Sequence, residues 1–119
     1  MDKYEQAYLL YQEGLEEFEK GEFAAALECF IKSNKFNEHS RTYARIYESL
    51  IKLDRNSEAK PYIKQAYLEN PRHDKVTIQY AEVLIEDGEV QLARDILEKL
   101  LNRNSSYNPA KRLLESINN

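Results

Sequence analysis

The chain has 119 residues, 32% of them charged, and a net charge of −4, a size that suits one domain and not two independent ones. Its longest apolar stretches, 7–11 and 23–27, are five residues each, against the roughly 20 that a membrane-crossing helix needs, and the acidic start lacks the basic-then-apolar order of a signal peptide. Residues 1–39 hold 9 acids and 4 bases, 40–73 hold 4 and 7, and 74–119 hold 8 and 6, so no part has the basic excess that nucleic-acid binding needs.

In chain order, a first helix over 2–20 ends at Gly21, a good left-handed terminator. A second follows at 23–36. The third, 40–53, has Ser40 as its expected N-cap. The fourth, 57–69, stops before Pro71, because the residue preceding proline disfavours helix. With Ser57 as its cap, Pro61 falls just past the first turn, where a missing N–H costs least. The fifth covers 74–87 with Gly88 closing it, and the sixth covers 90–103. A seventh opens at Asn108-Pro109, an N-cap with proline at the first helical position, and runs to 117. Its Leu113, Leu114 and Ile117 give one face to pack and one to wet.

Chemistry is sparse along this path. The three glycines all fall at turns or at a helix crossing, which leaves none for a phosphate-binding loop. His39 and His73 lie in turns without a Cys, His or acid at metal-ligand spacing, and read as surface residues. Cys29 is the lone cysteine, between Leu27 and Phe30, and reads as a buried small hydrophobe. The cluster Glu13, Glu16, Glu17, Glu19 and Glu22 gathers where the helix dipole disfavours negative charge. It reads as a solvated open end ahead of an acidic docking patch. No metal, no cofactor and no catalytic group is expected.

The helices repeat. Ala26, Ala59 and Ala93 follow one another at steps of 33 and 34 residues, as do Phe30, Ile63 and Leu97, then Gly14, Tyr47 and Ala81, then Gly21, Asp54 and Gly88. Each unit is helix, tight turn, helix, with a small residue at a crossing. This pattern, carried best by Gly14-x6-Gly21-Glu22-Phe23-x2-Ala26-x3-Phe30, resembles the tetratricopeptide repeat family. The resemblance implies an all-α, right-handed superhelical solenoid of three antiparallel helix pairs plus a capping helix. It would be a single domain over 1–119, with repeats at about 7–39, 40–73 and 74–107 and the cap at 108–117.

Such proteins bind other proteins on a concave face. The matching stripe on the first helix is Tyr4, Tyr8, Tyr11, Leu15 and Phe18, while Ala7, Leu10 and Gly14 face the partner helix. Within the stripe, Phe18 and Leu15 are expected to pack in part on the neighbouring helix, and Tyr8 and Tyr11 to be the better contacts. The equivalent lines hold Arg41, Ala44, Glu48 and Ile51, with Arg45 adjacent, and Lys75, Ile78, Glu82 and Ile85, with Gln79 adjacent. Where the carboxylate-gripping subgroup of the family has its Lys, Asn and Arg clamp, this chain has Tyr11 and Leu15, Arg45, then Lys75 and Gln79, and only Lys75 agrees. The expected ligand contacts are therefore Tyr8, Tyr11, Leu15, Arg41, Arg45, Lys75, Ile78 and Gln79. The expected function is a non-catalytic, cytoplasmic protein-interaction module for a peptide or partner segment, with no nucleic acid and no membrane. Self-association into a weak homodimer and a secretion-chaperone-like role are the alternatives.

Overall fold

The computed structural model describes residues 1–118, and among them the regular elements are helices: α1 (Lys3–Glu19), α2 (Phe23–Phe36), α3 (Ser40–Lys52), α4 (Asn56–Glu69), α5 (Asp74–Glu86), α6 (Val90–Arg103) and α7 (Asn108–Asn118). Each lies within one residue of its expected bounds. The turn inside every pair closes in the same way. Gly21, Asp54 and Gly88 take φ of 80°, 59° and 82°. Their N–H groups donate to the carbonyls of Phe18, Ile51 and Ile85, and the next N–H of each turn donates to Glu17, Leu50 and Leu84, all at 2.8–3.1 Å. The paired bonds occupy carbonyls that a helix end leaves orphaned. Glycine takes this left-handed backbone freely, and Asp54 is a short polar residue that tolerates it.

Helix starts differ from expectation at three places. Ser40 is not the cap of α3. The extended His39 is, its Nδ1 accepting from the Arg41 N–H at 3.1 Å. His73 caps α5 likewise, accepting from the Val76 N–H at 3.2 Å. The two turn histidines therefore terminate helices. At α4 the Ala59 N–H already reaches the Arg55 carbonyl at 3.1 Å, so the helix begins ahead of Ser57 and Pro61 lies inside it. Proline cannot donate to the Ser57 carbonyl; both residues are exposed, leaving water to satisfy it. At α7 the Tyr107 carbonyl takes the first bonds, from Ala110 and Lys111. Pro109 is thus the second helical residue.

Two compact units divide the chain. The first, Met1–Glu69, contains α1 to α4; the second begins at Asn70 and contains α5 to α7. In the first, α1 packs on α2, α2 on α3 and α3 on α4. Its core gathers Ala26, Leu27, Phe30, Ile46, Leu50 and Ala59. Gly14 is where α1 meets the Phe30 ring: a Cβ there would fall 2.6–2.9 Å from three ring atoms. Ser33 and Ser40 are buried, and each donates across its helix pair, Ser33 Oγ to the Ala7 carbonyl at 2.6 Å and Ser40 Oγ to the Ala66 carbonyl at 2.8 Å.

In the second unit α6 packs on both α5 and α7. Val76, Ala81, Ala93, Leu97, Leu100 and Ala110 are fully or almost fully buried. Arg103 donates to Asp74 Oδ1 from Nε and Nη2 at 3.1 and 3.0 Å, and Asn104 donates to Oδ2 at 3.0 Å. Burial alone would raise the Asp74 carboxyl, but these hydrogen bonds and the Arg103 charge outweigh it and hold the group below its ordinary value. Arg94 Nε reaches Asn118 Oδ1 at 3.1 Å, tying the end of α7 to α6.

Candidate functional site

The aromatic stripe of α1 divides along its length. Leu15 and Phe18 pack against the core cluster of the first unit, and the Phe18 ring meets Phe23 edge-on at 5.0 Å. Leu15, expected as a ligand contact, is thus a half-buried flank of the core. Nearer the start of α1, Tyr4 and Tyr8 are 59% and 55% exposed. Tyr11 lies between the two regimes, its ring 5.5 Å from that of Phe30.

Packing of α3 brings arginine to this stripe. The Arg41 guanidinium lies 5.7 Å from the Tyr11 ring centroid, within cation–π range. Arg45 Nε donates to the Tyr11 hydroxyl at 3.4 Å, and its Nη1 pairs with Glu48 at 3.5 Å. Arg45 is therefore partly neutralised within its own helix. Tyr8, Tyr11 and Arg41 converge on a cavity of about 240 Å³. Tyr4 and Gln12 also wall it from α1, Asn37 follows α2, and His39 and Thr42 stand at the start of α3. Its lining contains one guanidinium and no carboxylate. An exposed guanidinium with no carboxylate beside it in the lining favours an anionic partner.

Gln12, Asn37, His39 and Thr42 were not expected here. Gln12 could have been read from its spacing, one turn beyond Tyr8 on the same side of α1. Asn37 and His39 come from the connection before α3 and Thr42 from its first turn, whose placing depends on the His39 cap that spacing does not reveal. In the second unit, Lys75, Ile78 and Gln79 share one side of α5; Lys75 is exposed and the other two are half-buried.

Other chemistry is thin. Among the described residues no group of three or more His, Cys, Asp or Glu is placed to hold a metal. No described helix is long and apolar enough to cross a membrane. Cys29 is half-buried; burial first, then the charges of Glu13, Glu17 and Glu28, push its thiol up, away from the reactive thiolate.

No curated protein matches the chain. Solved structures do. The TPR domain of Arabidopsis OM64 superposes with a TM-score of 0.81 at 13% identity, covering 98% of this chain and 97% of that one. The first TPR of Spaghetti (RPAP3), bound to the HSP90 peptide SRMEEVD, gives 0.83 at 16% identity over 97% and 92%. The second TPR domain of human RPAP3, in complex with the HSP70 peptide SGPTIEEVD, gives 0.82 at 19% identity over 98% of each chain. These likenesses show the all-α solenoid fold of helix pairs with a final capping helix. The tetratricopeptide repeat family model matches residues 50–117, more than half of the sequence, and with the repeated turns and crossings described above it places the chain in the tetratricopeptide repeat family.

Proposed function

We propose that the chain is a non-catalytic protein-interaction module, one domain over residues 1–119 with repeats at about 7–39, 40–73 and 74–107, that holds an acidic peptide segment in the cytoplasm. The observation that carries this reading is the cavity walled by Tyr8, Tyr11 and Arg41, with one cation and no carboxylate in its lining. Tyr8 and Tyr11 supply flat apolar area with a wet hydroxyl, the kind of surface on which binding energy concentrates. Arg41, exposed and stacked on Tyr11, fixes an acidic group. Arg45 adds a weaker contact because Glu48 already holds it. Lys75, Ile78 and Gln79 offer a further line of contacts on α5 of the second unit. Peptides ending in EEVD, which two of the structural neighbours carry, are natural first ligands to try.

The test is fluorescence anisotropy with labelled SGPTIEEVD at low and high salt. Wild type should bind, more weakly at high salt, and Arg41→Glu should lose at least tenfold in affinity with an unchanged circular dichroism spectrum. The double variant Arg45→Glu with Lys75→Glu should lose less. Equal binding by wild type and Arg41→Glu at both salt concentrations sinks the reading. The exposure of Tyr4, Tyr8 and Leu9 on α1 favours a second reading, self-association through that face. Sedimentation at two concentrations separates it, since only self-association raises the mass and only then does Tyr8→Glu restore the monomer.

A further inference from the structure

A second cavity, of about 380 Å³, lies between α2, α3 and α4 and shares no residue with the first. Ile31 and the buried Ile46 give it apolar walls, and the rings of Tyr43 and Tyr62 stand 6.4 Å apart, tilted by 35°. The Tyr43 hydroxyl donates to Glu38 Oε1 at 2.7 Å, which anchors a carboxylate at the rim with its other oxygen uncommitted to that bond. Asn34 lines the same edge.

We propose that this groove is a second docking site, which takes a lysine or arginine side chain of a partner protein. The aliphatic stem of such a residue would lie on Ile31 and Ile46, and its charged head would meet the faces of Tyr43 and Tyr62 beside Glu38. Aromatic faces attract cations through their quadrupole, more strongly where water is displaced, and a carboxylate held by a tyrosine hydroxyl accepts charge-assisted hydrogen bonds. The local field agrees. The Tyr43 hydroxyl is held above its ordinary value by burial first, then by its bond to Glu38 and the charges of Glu38 and Glu69, outweighing a bond with Asn34. The one cation in the lining, Lys35, is exposed and opposes an incoming positive group. These two cavities thus differ in their charged groups: Arg41 without a carboxylate in one, and in the other a carboxylate anchored at the rim by Tyr43, with Lys35 also in the lining.

The test uses the whole chain, isotope-labelled for NMR, titrated with a capped glycine–lysine–glycine tripeptide and with the same tripeptide carrying norleucine in place of lysine. The lysine probe should shift the amide signals of Asn34, Glu38, Tyr43 and Tyr62 and bind at least fivefold tighter than norleucine. Glu38→Gln should weaken it about fivefold or more, Lys35→Met should tighten it, and Arg41→Glu should leave it unchanged. Glu38 is exposed, so its replacement does not threaten the fold, and SGPTIEEVD binding to that variant reports separately on the first cavity. Shifts that avoid this groove, equal affinity for norleucine, or wild-type affinity in Glu38→Gln each overturn the proposal.

Discussion

The first and third helix pairs place different residues at the same two positions of the repeat. At the crossing, the first pair sets Gly14 against the ring of Phe30, whereas Ala81 and Leu97 hold the corresponding places in the third, both fully buried. The middle pair has Tyr47, half-buried against the core, and the buried Ile63. Toward the open ends, the first pair uses Ser33 to satisfy the Ala7 carbonyl, and the middle pair reverses the direction with Ser40 and Ala66. The third replaces this neutral bond with the Asp74, Arg103 and Asn104 network. The first and third pairs set a small residue against a large one, whereas the middle pair holds two large residues and leaves its tyrosine only half-buried. A polar link between the helices recurs in each pair, but the residues that make it differ.

The largest break in that pattern is Phe30→Ala. It should cost about 3–5 kcal/mol, since Gly14 offers no side chain to refill the space, and urea unfolding will measure it. A loss under about 2 kcal/mol would show that the ring does not fill the crossing. Gly14→Ala tests the pairing of small with large itself. The added methyl should cost about 1–3 kcal/mol through overpacking, against a helix-propensity gain of about 1 kcal/mol. Phe30→Leu on that background should recover part of the loss, and a double-mutant cycle with no coupling would refute the exchange of volume.

Asp74→Asn should cost about 1–2 kcal/mol at neutral pH, because charge-assisted hydrogen bonds become neutral ones. The sign with pH follows from the lowered carboxyl. Its stabilisation is fully present above the unfolded value of about 3.9 and is lost as pH falls through the lower folded value. Thermal melts between pH 7 and pH 2 should show the variant with a shallower acid decline than wild type; parallel curves would assign the acid limb to other carboxylates. The smallest effect is at the caps, where His39→Ala and His73→Ala should each cost about 0.5–1 kcal/mol, with His39→Asn close to neutral. Equal stability of all three variants would mean that the ring nitrogens contribute nothing as caps.

Much of the fold was legible because its punctuation is local. Gly21 and Gly88 mark turns by themselves, and the step of 33 and 34 residues lets Asp54 be read as their equivalent. The facing of Ala7 and Gly14 toward α2 also followed from helical spacing. Along the tyrosine stripe, spacing set Leu15 among the ligand contacts and also, with Phe18, against the neighbouring helix; both flank the core. The histidine caps escaped because a cap depends on the backbone angle of one residue, and imidazole is uncommon in that role. Pro61 escaped for the opposite reason: an exposed carbonyl tolerates the missing bond, so the local rule gives way. The groove of Tyr43, Tyr62 and Glu38 draws on three helices with no common period, and only packing assembles it.

Cys29 turns the chain into its own reporter. A single thiol, half-buried on α2 and discouraged from ionising first by burial and then by its acidic neighbours, should react slowly with a maleimide while α1 and α2 stay together. The labelling rate then counts openings of that helix pair, without any engineered probe, and any partner that clamps α1 in place would slow it further.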